Sequence, residues 1–246
     1  MPAKLKLVVG YDTLCYELLY NNGLPVKAPI EELNCDHEEA DTRMFLHAKH
    51  AANSSSQVVI KSQDTDVFVL ALDVAQDIAC LVLSTGRNDK ARLIDINKAA
   101  GLLGRDLCCA LVAAHAPSGC DSVSSFYGKG KKKMFDLVKQ DVDMQYALTR
   151  FGSFFKIDEE VIVKLQELVC KLYGVKEKSL NSTRYVIYCS SAKLSERSLP
   201  PTEDEFMCHA RRAWYQIAIW RSALKSEISP PPLILLIMAG YSKMDY

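Results

Sequence analysis

The chain has 246 residues, enough for one or two domains and for a core that hides most of its extended surface. Apolar side chains make up 49% and charged ones 24%, which excludes wholesale disorder. Thirty basic and thirty acidic residues cancel, so there is no global attraction for nucleic acid or an anionic membrane, and any such affinity must come from a local patch such as K-G-K-K-K at Lys129 to Lys133.

In chain order, residues 5–9 (LKLVV) read as a short strand, with turns at Gly10 and at Asn22 and Gly23. Residues 38–52 turn helical, with Ala40, Met44, Phe45, Ala48 and Ala52 on one face. Asp36 is the expected N-cap and Glu39 its capping-box partner. Val58, Val59 and Ile60 form a β-branched strand of the buried parallel kind, residues 67–72 are apolar, and residues 80–83 read as another buried strand. Residues 95–103 and 107–115 read as helices. This alternation predicts a parallel α/β sheet over residues 5–115.

After Asp121 the pattern becomes helix (122–127), tight turn (Gly128 to Gly130) and helix (131–139). Residues 158–173 are amphipathic, with Val161, Leu165, Leu168 and Leu172 aligned. Residues 185–189 carry a strand signal, and residues 203–224 a long helix whose Trp214, Tyr215 and Trp220 mark a packed face, with prolines at 230–232 ending it. An α/β half to about residue 116 and a mostly helical half beyond are expected.

Nine scattered cysteines without a C-x-x-C pair read as small core residues of a reduced, intracellular protein. There is no basic-then-apolar leader pattern. The longest apolar run, residues 233–240, is far shorter than the roughly 20 residues that span a bilayer, so no transmembrane segment and no membrane partner are expected.

Three acidic clusters fall at the joints of this scheme: Glu38, Glu39 and Asp41 at a helix start, Asp64 and Asp66 just past the strand V-V-I, and Asp121 after a Ser–Gly–Cys turn. Ligand sites in parallel α/β sheets form outside the carboxyl ends of strands, the edge these clusters share. Gathered carboxylates repel one another unless a cation neutralises them. Oxygen donors without His or Cys suit Mg²⁺ or Mn²⁺, and two such ions about 4 Å apart serve in-line phosphoryl displacement. Taken singly, each cluster reads as structural, Glu39 as a capping box and D-T-D as a strand-end turn. The second signal is the turn Gly128-Lys129-Gly130 with Lys131, Lys132 and Lys133, whose free backbone N–H groups and ammonium groups suit a nucleic-acid phosphate.

The segments HEEADTRMFLHA, VVIKSQDTDVFVLAL and SGCDSVSSFYGKGKKKMFDLV resemble the later part of the PIN-like, flap-endonuclease (XPG-type) nuclease domain, in particular the asteroid-like branch of transposon-associated animal proteins. Order, spacing and flanking apolar residues agree over roughly residues 35–140, and PPTEDEFMCHARRAWYQIAIWRSAL resembles the tail of that branch. The resemblance implies that Glu39, Asp41, Asp64, Asp66 and Asp121 are catalytic ligands of two Mg²⁺ or Mn²⁺ ions. It implies that Gly128, Lys129, Gly130, Lys131 and Lys132 grip DNA or structured nucleic acid as a helix-hairpin-helix at 118–138. It further implies a nuclear location.

Family members carry further aspartates on earlier strands, whereas 38 residues precede Glu39 and Asp12 follows the wrong pattern. The expectation is therefore a truncated PIN-like domain (1–140), its parallel sheet incomplete, followed by a helical region (141–246). Its activity is that of a metal-dependent phosphodiesterase, or it is an inactive nucleic-acid-binding, transposon-derived remnant. Other constellations carry less. Glu31 and Glu32 offer a second register for the first acidic segment. Cys35, His37, His47 and His50 lack finger-like spacing, Cys120 and His115 lack a third catalytic partner, and no P-loop spacing occurs.

Overall fold

Two small sheets, rather than one, organise the amino-terminal half. The computed structural model describes residues 6–21, 24–190 and 195–231. β1 (Leu7–Tyr11), β2 (Leu14–Asn21) and β3 (Leu24–Pro29) form an antiparallel meander. The expected turn at Gly10 is not there: Gly10 pairs with Cys15 inside the ladder, and the chain reverses one step later, with Asp12 at φ 53°. The turn expected at Asn22 and Gly23 lies outside the described residues. Cys15, Leu33, Cys35 and Leu46 form a small core beneath this sheet, while Leu7, Tyr11 and Leu24 are exposed.

The second sheet has the order β4 (Val58–Lys61), β5 (Leu81–Thr85), β6 (Arg92–Asp95). β4 and β5 are parallel and β6 is antiparallel to β5, so the parallel sheet expected across residues 5–115 is corrected to one parallel pair. The reason is connection length. Only β4 and β5 are joined by a helical crossover, α2 (Thr65–Val74), whereas the short link 86–91 can close only an antiparallel pair. β4 is also only half buried: Val58 and Ile60 face the core, but Val59 is 51% exposed.

The helices are α1 (Ala40–Ala52), α2, α3 (Ile96–Leu103), α4 (Arg105–His115), α5 (Lys131–Gln140), α6 (Val142–Thr149), α7 (Glu159–Leu172), α8 (Leu180–Ser190) and α9 (Glu203–Arg221). Residues 122–127 form no helix. Gly119 at φ 114° turns the chain, Cys120 and Val123 pair across a two-residue turn, and the Ser-rich stretch that follows has weak helix propensity, so the helix-hairpin-helix lacks its first helix. The strand signal at 185–189 is corrected to α8; its alternating Tyr-Val-Ile-Tyr lies on a helix with Tyr185 and Tyr188 exposed. Asp36 does not cap α1: its carboxylate accepts from the N–H groups of Ile228 and Ser229, each 2.8 Å away, and Glu39 occupies the N-cap without a side-chain cap bond.

One cluster of buried side chains runs from Phe45 to Ala223. α4 lies at its centre, with Ala110, Val112, Ala113 and Ala114 fully buried and α2, α5, α6 and α9 packed around it. Trp214 and Trp220 of α9 are buried in that cluster, which agrees with the packed-face reading. Among the described residues no single helix is long and apolar enough to cross a membrane.

Candidate active site: an acidic cleft

Each acidic residue reaches the site for a local reason. Glu39 precedes the first turn of α1, and Asp41 lies within that turn, where negative charge complements the helix dipole. Past β4, Ser62 continues the sheet through its N–H to the Ser84 carbonyl, and its Oγ accepts from the Asp64 N–H at 3.0 Å. Asp64 then caps α2, its Oδ1 accepting from the Asp66 N–H at 2.8 Å. Asp121 and Ser122 form the tip of the turn closed by Cys120 and Val123, whose backbones exchange bonds of 2.9 and 3.2 Å. Gly119 is required before that tip, because a Cβ there would sit 2.7 Å from Cβ of Ser125 and its φ is positive.

Glu39, Asp41, Asp64, Asp66 and Asp121 all line one cleft of about 340 Å³, together with Ala40, Cys120, Ser122, Gln216 and Trp220. A larger chamber of about 740 Å³ adjoins it, sharing Glu39, Ser122 and Gln216 and lined further by Arg212 and Tyr215. The crowding is electrostatically felt. Burial, then the charges of Asp64, Glu39, Asp66 and Asp121, hold the Asp41 carboxyl above the usual carboxylate range. Burial also pushes Asp66 up, but the hydrogen bond and charge of His115 and the nearby Lys131 outweigh it, leaving Asp66 below that range.

Two carboxylates are held by partners that the sequence did not suggest. Glu39 Oε1 accepts from Gln216 Nε2 at 2.8 Å and Oε2 from Trp220 Nε1 at 3.1 Å, while Ser122 Oγ donates to Gln216 Oε1 at 2.6 Å. Asp66 Oδ1 lies 2.6 Å from His115 Nε2 and 3.7 Å from Lys131 Nζ. The Gln216 and Trp220 spacing of four on an amphipathic helix puts both on one face, a signal legible in the sequence but read only as packing.

The lysines of the Gly128 turn each have a partner in the fold. Gly128 takes φ 67° and Gly130 is the N-cap of α5. Lys129 Nζ lies 4.3 Å over the Tyr173 ring, and Lys133 Nζ donates to the Leu172 carbonyl at 2.8 Å, at the carboxyl end of α7. Lys131 Nζ lies 3.7 Å from Asp66 Oδ1, and Lys132, the most exposed, pairs with Asp136 at 2.8 Å. Elsewhere, Glu31 and Glu32 sit beside His47 and His50 in a separate hollow, and His37 Nε2 contacts the Lys225 carbonyl oxygen at 2.6 Å.

Five carboxylates, the oxygen donors that a hard divalent cation takes, line the cleft beside the Cys120 thiol, and burial and the neighbouring carboxylates raise Asp41. Among the described residues, however, no three His, Cys, Asp or Glu side chains are grouped so as to hold one ion, so the oxygens ring the cleft rather than close on a common point. Comparison with known protein families, curated proteins and solved structures finds no match.

Proposed function

We propose that the chain is a divalent-metal-dependent phosphodiesterase domain of PIN-like type, acting on DNA or structured nucleic acid. The observation that carries this reading is that five carboxylates from three separate stretches of chain line one cleft, at an electrostatic penalty visible in Asp41. Folding alone gains nothing from such crowding, and uncompensated charge of this kind collects where a protein handles cations or reacting groups. Glu39, Asp41, Asp64, Asp66 and Asp121 are the side chains that would have to draw together around Mg²⁺ or Mn²⁺, and the metal would supply charge neutralisation of the phosphoryl oxygens. Gln216 and Trp220 fix the Glu39 carboxylate, and His115 fixes that of Asp66. The adjoining chamber has the volume for a nucleoside flanking the phosphodiester. Lys131, on the rim of α5, brings positive charge to the same cleft.

The test is cleavage of flap, nicked and single-stranded substrates with Mg²⁺ or Mn²⁺, comparing wild type with Asp41→Asn and Asp121→Asn. We expect metal-dependent cleavage that falls at least about 100-fold in either variant, the scale on which electrostatic stabilisers act. Equal cleavage by wild type and variants removes the assignment.

A second reading, a nucleic-acid-binding domain without turnover, is favoured by the open arrangement of the oxygens and by the engagement of the Asp66 carboxylate with His115 and Lys131. It predicts binding that weakens with salt and with Lys132→Ala, and no cleavage with any divalent ion.

A further inference from the structure

We infer that the outward half of α8 is the contact face of a homodimer, with a second copy of this chain as its occupant. α8 buries only Leu180 and Thr183, both in its first turn. Beyond them the helix runs Tyr-Val-Ile-Tyr-Cys-Ser without a charge, and Tyr185, Val186 and Tyr188 are 71%, 40% and 68% exposed. Among the described residues α7 is the one element that it packs against closely. The run that reads as a strand therefore serves neither a sheet nor the core. A helix of 11 residues is too short to be stable by itself in water, so its apolar outer half needs cover. Tyrosines held out on a surface are the side chains in which protein interfaces are enriched.

The patch is its own complement. Arg184, Tyr185, Tyr188, Glu196 and Leu199 line a hollow of about 480 Å³. That volume is in the range that takes a drug-sized molecule, so there is room for a side chain from outside. Arg184 gives an N–H to the Pro200 carbonyl, and among the described residues neither Arg184 nor Glu196 forms an ion pair. A polyanion such as nucleic acid would meet Glu196 there, and a basic segment would meet Arg184. Two copies related by a two-fold axis through the hollow instead lay each Arg184 against Glu196 of the other copy and bring the tyrosine pairs together. Such a contact uses the same surface on both chains and closes on itself. An interface centred on one short helix belongs with the small ones, below about 1,200 Å² in total, so a dissociation constant in the micromolar range is expected.

The experiment is sedimentation equilibrium of the full-length chain across the micromolar range, for wild type, Tyr185→Ser/Tyr188→Ser, Arg184→Glu and Glu196→Arg. We expect wild type to approach twice its 27.5 kDa mass. The double tyrosine variant, altered only at exposed positions, should associate at least about 30-fold more weakly, the loss of a hot spot. Each charge variant alone sets like charges together and should weaken the dimer about 10-fold. An equimolar mixture of the two sets opposite charges together at both contacts and should recover it. Should Arg184→Glu fail to fold for want of its bond to Pro200, Arg184→Gln keeps an N–H donor and, added to Glu196→Arg, should relieve the repulsion. Cys189, also exposed on α8, reports cover: its alkylation should slow as the chain concentration rises and stay fast in the tyrosine variant. A wild type that stays monomeric, a dimer that survives both tyrosine changes, or charge combinations that bring no recovery overturn the inference. Slow alkylation of Cys189 even in dilute chain would mean that the same chain covers the face, and overturns it as well.

Discussion

Asp41 occupies the first turn of α1, where the helix dipole favours a negative charge, and yet burial and four neighbouring carboxylates hold its carboxyl above the ordinary range. Asp66, on α2 in the same cleft wall, is held below that range because His115 and Lys131 outweigh its burial. The two shifts pull stability in opposite directions. With a folded pKa above the unfolded value of about 3.9, Asp41 contributes its full stability below that pH, and the contribution is lost as the pH rises through the folded pKa. Asp66 contributes stability above about 3.9, lost as the pH falls through its depressed folded value. Asp41→Asn should therefore melt higher than wild type at pH 7, by roughly 2–4 °C for about each 1 kcal/mol relieved, with the difference closing near pH 3. Asp66→Asn should melt lower at pH 7, since a buried donor and an ammonium lose a charged acceptor at about 1–3 kcal/mol. Scanning calorimetry at both pH values checks this, and an Asp41→Asn chain less stable than wild type at pH 7 would show that the crowding is harmless. At this scale the acids were legible because each marks a joint between elements. His115 was not, because its partner Asp66 lies 49 positions away and no local pattern links them.

α9 shows how much of the site depends on an element whose sequence reads as plain packing. Thr202 and Glu205 form a capping box, and Phe206, Ala210, Ala213, Trp214 and Ile217 sink into the core, which fixes the rotation of the helix. That rotation delivers Gln216 and Trp220 to Glu39. Trp220→Phe keeps the buried ring and removes only the N–H donor to a carboxylate. It should lower the urea midpoint by the equivalent of about 1–3 kcal/mol with an unchanged slope, and weaken metal-dependent activity by freeing one Glu39 oxygen. A shifted slope would mean that the core had rearranged instead. Helices with sustained amphipathic spacing, α7 and α9 above all, could be read from sequence within a few residues. β2, β3 and β6 could not, because Leu14–Asn21 mixes polar and apolar residues on a sheet with wide exposure and Arg92–Asp95 is only four residues long. α8 read as a strand because Tyr-Val-Ile-Tyr favours β structure locally, and its place beside α7 overrides that preference.

For the molecule as a whole, the pattern along the chain changes near residue 116, but burial does not follow it. The core that begins at Phe45 continues through Met144, Leu148, Phe151, Leu165, Trp214 and Ala223. Half-buried Arg221 ties the halves together, its guanidinium donating to the carbonyls of Cys109 midway along α4 and Leu148 near the end of α6, at 3.2 and 3.3 Å. A cation is favourable at the carboxyl end of α6, and desolvation, which lowers the Arg221 pKa, is only partly countered by the charge of Asp73. A chain cut after residue 140 would bare Leu111, Val112, Met134 and Val138 and would strip Glu39 of both its hydrogen-bond donors. The full chain should therefore unfold in one step, with near- and far-ultraviolet circular dichroism transitions coinciding. Residues 1–140 alone should show no cooperative transition and should bind no Mn²⁺ at concentrations that saturate the full chain. Separate transitions in the full chain, or a fragment that melts cooperatively, would show that the acidic cleft is built by its own half of the sequence and that α9 merely covers it.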